Sequence, residues 1–303
     1  MSMAPSVAVT GASGFIGSAV VAAFEAEGSR VLRLVRRPSA ASNEIAWDPE
    51  GVQIDSARLE GVEAVVNLAG ESLAGARWTP ERKRRIKESR VRGTTLLART
   101  LANLESKPRV LVSGSAVGIY GDRGDDQIQE EDGPGTGFLA EVGQAWEASA
   151  DAARQAGIRV VHPRFGMVLH PSGGALEKML PPFRLGLGGR LGNGQQWMSW
   201  ISRDDAVGVI RSAIVLDSLS GPVNAASPNP VRNAEFTSLL GAALHRPAVA
   251  AVPAFVLELM FGELAKEALL SSQRAVPARL QAAAHEFRDP DLGPLLVALM
   301  RDK

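Results

Sequence analysis

Apolar and polar positions fall into two alternating rhythms over the first two-thirds of the chain. Short apolar runs at 7–9, 31–35, 62–67, 109–113 and 158–162 are separated by longer stretches with helical spacing. Residues 15–27 put Phe15, Ile16, Ala19, Val20, Ala23 and Phe24 on one helical face, and Gly28 reads as the stop. The stretch 79–104 is helical, with Thr79 as N-cap and Pro80 at the first helical position. A helix is predicted over 138–156, ended by Gly157, and another over 204–216. A short segment at 44–48 and a short helical piece at 55–59 lie between the second and third strands. Strands alternating with helices in this way predict right-handed βαβ units and a parallel sheet.

Beyond Gly166 the texture changes. Glycines and prolines cluster from 171 to 194, followed by Trp197 and Trp200, and 252–303 is Leu/Ala-rich and helical with breaks at Gly262, Pro277 and Pro290. The expected division is a nucleotide-binding domain over 1–166, to which 203–225 returns, and a substrate lobe with a C-terminal helical segment over 167–303.

The first strand and helix meet in V-A-V-T-G-A-S-G-F-I-G, residues 7–17. A strand, a glycine turn and a helix in this order place a pyrophosphate on a helix N-terminus, where backbone N–H groups have no partner and the dipole favours an anion. Thr10, Gly11, Ser13, Gly14, Phe15, Ile16 and Gly17 are the expected cradle, the glycines giving the tight turn and the close backbone approach. The second strand ends in Arg36-Arg37-Pro38. An acid there would bind a ribose 2′-hydroxyl; Arg36 and Arg37 instead match a 2′-phosphate, which favours NADP over NAD, unless they are ordinary solvated arginines. The third strand ends in Asn67, Leu68, Ala69 and Gly70, small enough for backbone to lie against the cofactor.

The fourth strand runs through Ser113, Gly114 and Ser115 to Tyr120, and the fifth into Pro163, Arg164 and Gly166. An acidic loop at 122–132 is too rich in Gly and Asp for regular structure and reads as a solvated lid. The basic cluster Arg82, Lys83, Arg84, Arg85 and Lys87 is a phosphate binder or, more in keeping with acids elsewhere, a solvated face.

Composition removes alternatives. The 303 residues carry 33 basic and 33 acidic groups, so nothing global argues for a nucleic-acid or anionic-membrane partner. No cysteine is present, which excludes disulfides, thiolate metal sites and a cysteine nucleophile. His162, His170, His245 and His285 show no ligand spacing, so no metal is expected. No apolar run reaches the ~18 residues of a membrane span, and no leader-like pattern precedes the first strand, so a cytoplasmic protein with a small-molecule partner is the expectation. Oligomeric state is left open.

The T-G-A-S-G-F-I-G segment resembles the extended short-chain dehydrogenase/reductase superfamily of NAD-dependent epimerases and dehydratases. The resemblance is supported in order and spacing by Asn67-Leu68-Ala69-Gly70, the serine strand and Pro163-Arg164. Trp47-Asp48-Pro49, Arg77-Trp78-Thr79, Ser89-Arg90 and G-N-G-Q-Q-W-M-S-W-I-S-R-D-D at 192–205 are similar to an atypical subgroup known as epimerase family proteins, with a small C-terminal domain matched from Val252-Pro253 onward. The chain departs from it at His285-Glu286-Phe287, where a glycine-led aromatic pair is expected. The resemblance implies an α/β fold, a Rossmann-like doubly wound parallel sheet with a smaller C-terminal substrate lobe.

It also implies a Tyr-x-x-x-Lys pair on the helix after the serine strand, in which Lys lowers the Tyr pKa and Tyr moves a proton. Here Leu139 and Gly143 stand at those positions, and the helix contains neither Tyr nor Lys. The remaining catalytic candidates are Ser113, Ser115 and Tyr120, the chain's single tyrosine, which also fits a ring packed below the site. Lys178 is a candidate for substrate contact, and Trp197 and Trp200 form either an apolar substrate wall or simply core. Two functions follow: an NADP-dependent oxidoreductase or epimerase-like enzyme with a non-standard acid/base, or a catalytically silent NADP-binding sensor or scaffold.

Overall fold

The computed structural model describes residues 5–73 and 77–301. In chain order, β1 (Val7–Thr10) leads into α1 (Phe15–Ala26), then β2 (Val31–Val35), β3 (Glu44–Asp48) and the short β4 (Gln53–Ile54). A single 3-10 turn at Ser56–Leu59 precedes β5 (Ala64–Asn67) and α2 (Pro80–Ala102). Next come β6 (Val110–Ser113), β7 (Ser115–Ala116), β8 (Gln127–Ile128), α3 (Phe138–Ala148), α4 (Asp151–Gln155) and β9 (Arg159–Phe165).

The lobe begins with β10 (Met167–His170), α5 (Gly174–Arg184), β11 (Gly189–Leu191), β12 (Trp197–Met198) and β13 (Trp200–Ser202). Then α6 (Arg203–Val215) and β14 (Gly221–Ala225) return to the main sheet, and β15 (Val231–Arg232), α7 (Asn233–Leu244), β16 (Ala250–Val252) and α8 (Ala254–Phe261) follow. A wide turn at Ala265–Leu269, β17 (Arg274–Ala275), α9 (Ala278–Ala282) and α10 (Leu292–Arg301) complete the chain.

The main sheet has the order β14-β9-β6-β5-β1-β2-β3-β4 and is parallel except for β3–β4. It is the expected Rossmann-like doubly wound sheet. The order reverses between β1 and β5, and a ligand crevice opens beyond the strand ends at such a switch point. Both faces are covered, so successive strand residues serve two cores. Val7 and Val9 face α1 and α6, packing with Val20, Phe24, Val209 and Ile210, while Ala8 faces Leu97 and Leu101 of α2. The lobe has its own core, in which Leu176, Leu180 and Phe183 of α5 meet Phe236 and Leu240 of α7 and Leu295 and Leu296 of α10.

Two expectations need correction, the helix over 138–156 and the acidic loop. The helix over 138–156 is interrupted: α3 ends at Ala148 and α4 starts at Asp151, where the Ser149 hydroxyl donates back to the Trp146 carbonyl (2.5 Å). Serine competes in this way with the backbone ladder. The Gly/Pro-rich stretch 171–194 contains α5 despite Pro181 and Pro182, and the carbonyls four residues earlier belong to exposed Glu177 and Lys178. The acidic loop is a pinned segment, not a solvated lid. The Asp122 carboxylate accepts from Ser272 N (3.3 Å), β8 pairs with β17, and Glu130 is buried, accepting from Asn224 N (2.9 Å) and Arg279 N (3.3 Å). Among the described residues no helix is long and apolar enough to cross a membrane.

Candidate cofactor and active site

The glycine turn has the geometry its residue types demand. Gly11 has φ +66°, and a Cβ there would lie 2.8 Å from the Leu68 carbonyl, so the loops after β1 and β5 touch. A Cβ on Gly17 would lie 2.1 Å from the Gly11 oxygen, and Gly14 N donates to that same oxygen (2.8 Å). Ser13 and Gly14 are exposed, and Phe15 and Ile16 half-buried, at the start of α1. That helix has no side-chain N-cap and no acid in its first turn, so its N-terminal donors and the positive end of its dipole face the crevice.

Thr10, Asn67 and Ser113, expected as contacts, lie one layer deeper. All three are buried. The Thr10 hydroxyl donates to Asn67 Oδ1 (2.7 Å) and accepts from Leu68 N (3.1 Å) and Ala69 N (3.2 Å). Asn67 Nδ2 donates to Thr94 Oγ1 (2.8 Å) and Ser113 Oγ (3.2 Å), and Gly114 N donates to Asn67 O (2.9 Å). This string fixes the strand ends, so the surface offered to a ligand is the backbone of Leu68, Ala69 and Gly70.

Behind that backbone sits Arg90. Its Nη1 donates to the Glu71 and Ile86 carbonyls (2.9 and 3.0 Å), and its guanidinium lies 5.0 Å from the Trp146 ring centre. A Cβ on Gly70 would be 3.2 Å from Arg90 Cζ. Burial pulls its pKa down to about 10, against the opposing charge of Glu71. The sequence reading did not single it out as a site residue. The available signal is an arginine one helical turn from buried Ile86 and from buried Thr94 on α2.

At the end of β2 the two arginines differ. Arg37 is bound by both carboxylate oxygens of Glu44, whose pKa that fork holds below the ordinary range. Arg36 is exposed. Both border a cleft of about 900 Å³ that also includes Asp48, Gln53 and Asp55. The basic cluster on α2 is largely an ion-paired face: Arg82 and Arg85 approach Glu71, Lys83 meets Glu263 (2.7 Å) and Arg84 meets Glu81.

The serine strand ends in a closed polar network. Ser115 donates to Glu147 Oε1 (2.7 Å), and Arg164 grips the same carboxylate with Nε (2.8 Å) and Nη2 (2.9 Å). Arg164 Nη1 donates to the Tyr120 hydroxyl (2.8 Å), which donates to Asn224 Oδ1 (2.7 Å). Burial raises the Glu147 pKa, but the Arg164 fork and charge outweigh it and hold the carboxyl below its ordinary value. Burial pushes Tyr120 up to about 12, with Arg164 opposing. Tyr120 is fully buried, so its hydroxyl does not open to the crevice. Pro163 and Arg164 are likewise buried within β9, and the space at Gly166 is demanded by the Ser199 carbonyl of the lobe, 2.6 Å from a Cβ there.

His162 is buried, with its Nδ1 3.3 Å from the Ser113 carbonyl oxygen, and burial lowers its pKa. Leu139 packs over Gly118, and Gly143 over Ile119. Around Leu139 the environment is apolar, formed by Trp78, Phe138, Val142, Leu73 and Leu264.

The lobe candidates separate. Lys178 is exposed on α5. Trp197 is half-buried, its ring between Arg232 (4.5 Å) and Arg274 (4.4 Å), with Nε1 donating to Asp125 (3.1 Å). Trp200 is a core residue, not a substrate wall: it is fully buried and its Nε1 donates to Asn229 O (2.9 Å). Among the described residues no cluster of ligating side chains could hold a metal ion.

A doubly wound sheet with an open glycine cradle at its switch point defines a nucleotide-binding protein of the Rossmann class. Residues 7–223 match the NAD dependent epimerase/dehydratase family, and the chain belongs to it. Residues 252–299 match a domain of unknown function, DUF1731. Epimerase family protein Mb2239 of Mycobacterium bovis is 44% identical over 290 residues, covering 96% of each chain. The crystal structure of human epimerase family protein SDR39U1 with NADPH superposes with TM-score 0.89 at 32% identity, covering 98% of this chain and 99% of that one. A nucleoside-diphosphate sugar epimerase from Corynebacterium glutamicum gives TM-score 0.80 at 36% identity, over 98% of this chain and 58% of that one.

Proposed function

We propose that the protein binds NADP(H) and is an oxidoreductase or epimerase-like enzyme acting on a small molecule. Residues 1–166 with 203–225 form the cofactor domain, and the rest of 167–303 the substrate lobe. Gly11, Gly14 and Gly17 admit the pyrophosphate to the N-terminus of α1, and the Leu68–Gly70 backbone lies along it, with Arg90 adding positive charge from behind. Arg36 takes the 2′-phosphate, beside Arg37 anchored by Glu44. The bound cofactor supplies hydride exchange.

The observation that carries an enzyme reading is the Ser115–Glu147 pair. An anionic carboxylate, fixed by Arg164, accepts the Ser115 proton. Ser115 is itself buried in that network, and its lone pairs remain as the acceptor that this reading assigns to a substrate hydroxyl in place of the Tyr-Lys pair. The second reading, an NADP-binding protein without chemistry, is favoured by Leu139 and Gly143 at the expected catalytic positions and by the burial of Tyr120.

Calorimetric titration tests cofactor choice. NADPH should bind at least about tenfold more tightly than NADH, the worth of one charge-assisted hydrogen bond, and Arg36→Asp should remove that preference. Equal affinities in the unaltered protein would sink it. Following cofactor absorbance over a panel of carbonyl and sugar-nucleotide compounds tests turnover, with Ser115→Ala and Glu147→Gln each expected to lower it. Silence over the panel with NADPH bound tightly selects the second reading.

A further inference from the structure

A cavity of about 510 Å³ lies in the lobe, between α7 and the paired strands β11 and β16. It shares no residue with the glycine cradle. Its polar lining is Arg190, Thr237, Ser238 and Arg246, and the rest is small or apolar. No carboxylate borders it; Glu235, the neighbouring acid on α7, is exposed and outside the lining. Among the described residues neither guanidinium is in an ion pair, in a chain whose charges balance overall.

The walls are fixed by close backbone approach. A Cβ on Gly189 would lie 1.8 Å from the Ala250 oxygen, which seats β11 against β16, and one on Gly241 would lie 2.7 Å from the Ala248 Cβ, which seats α7 against the segment before β16. Asn233 Oδ1 at the start of α7 accepts from Leu191 N (2.8 Å) and ties the helix to β11. The stem of Arg190 lies over Gly194, where a Cβ would be 3.2 Å from its Cδ. Arg246 donates from Nε to the Arg184 carbonyl (3.0 Å), which leaves its two terminal nitrogens for a ligand. Thr237 is 4% exposed, and its hydroxyl has no hydrogen-bond partner among the described residues. A hydroxyl so enclosed costs free energy until an oxygen or nitrogen meets it.

We infer that this cavity binds a small phosphomonoester. Arginine forks and hydroxyl donors suit the several oxygens of a phosphate, and two uncompensated guanidinium charges suit its dianion. The volume is that of a small-molecule pocket and leaves room for an organic group against the alanines and Val249 beside the phosphate. The inference is independent of the cofactor and enzyme readings above.

The test is calorimetric titration of the full-length protein at constant ionic strength, with NADPH saturating so that its own phosphates fill the cradle. The probes are glycerol 3-phosphate, inorganic phosphate, succinate and glycerol. Glycerol 3-phosphate should bind at one site per chain, more tightly than inorganic phosphate or succinate, and glycerol should give no binding. Arg190→Gln and Arg246→Gln should each weaken glycerol 3-phosphate at least about tenfold, Arg190→Lys should weaken it less, and Thr237→Val should weaken it about fivefold. NADPH affinity should stay unchanged in all four variants. Glycerol 3-phosphate binding that NADPH abolishes would place the anion in the cradle and overturn the inference. Arginine variants without effect, or glycerol binding as well as its phosphate, would overturn it too. Tighter succinate or inorganic phosphate would overturn the assignment to a phosphomonoester, and these comparisons need only the unaltered protein.

Discussion

Tyr120 shows how much a single side chain's surroundings decide. A catalytic tyrosine needs a lowered pKa and an open hydroxyl; this one is buried and pushed up to about 12. The unfolded chain loses the phenolic proton near pH 10 while the folded one retains it. Folding stability from this group is therefore complete below pH 10 and falls as pH rises towards 12. As the chain has one tyrosine, tyrosinate absorbance reads it alone. It should stay flat through pH 10 and rise only near 12 or with unfolding; a transition below 10 would return Tyr120 to the catalytic candidates. At Gly17, a methyl group 2.1 Å from the Gly11 oxygen forces the loop open. Gly17→Ala should lower stability by about 1–3 kcal/mol and weaken NADPH, as denaturant melts and titration would measure. These glycines were legible in sequence because the constraint is backbone against backbone within one turn. That the side chains of Thr10, Asn67 and Ser113 bond to one another and to the next strand was not legible, because residue type at a strand end does not say which way a side chain faces. Arg90 was passed over because only packing shows a guanidinium drawn beneath Gly70.

At the scale of elements, the parallel strands and the helices covering them were readable from periodicity, since each buries its own apolar positions. What could not be read is how elements hold one another across long sequence separations. Helix α3 starts at Phe138 after Gly137 and has no cap of its own. Its first donors are met by Glu267, 129 positions away from Phe138. A Cβ on Gly137 would lie 2.4 Å from a Glu267 oxygen, so the glycine makes room for that carboxylate. A negative charge at this end also complements the helix dipole. Glu267→Ala should cost about 0.5–2 kcal/mol, and Glu267→Gln, which keeps an acceptor, should cost less. Equal stability of Glu267→Ala and the unaltered protein in urea would show the cap to be incidental.

At the scale of the whole molecule, the sequence reads as a nucleotide domain and a lobe, yet residues far apart along the chain make buried, reciprocal contacts. Strand β14, reached only after the first lobe segment, completes the sheet beside β9, and its Asn224 accepts from the Tyr120 hydroxyl at Oδ1 and donates its N–H to the Glu130 carboxylate. Arg279 donates to Ser220 O (2.8 Å), Pro222 O (3.0 Å) and Glu131 (3.0 Å). Asp205 on α6 accepts from Arg288 N and Asp289 N (2.7 and 2.9 Å). Unfolding the C-terminal segment alone would take both backbone donors from the Asp205 carboxylate and leave buried Glu130 with Asn224 N but without Arg279 N, a penalty that couples the two parts. Separate domains joined by polar, wet contacts commonly melt apart; this interlock predicts a single calorimetric transition. NADPH at a hundredfold excess over its dissociation constant adds about 2.7 kcal/mol to the folded state, which for a chain of this length moves the midpoint by about 4 °C. Because the cradle and the lobe unfold together, that shift should move the entire peak. A second transition that stays fixed as NADPH is added would mean that the lobe is an independent unit, and that Glu267, Asp205 and Arg279 do not bind it to the sheet.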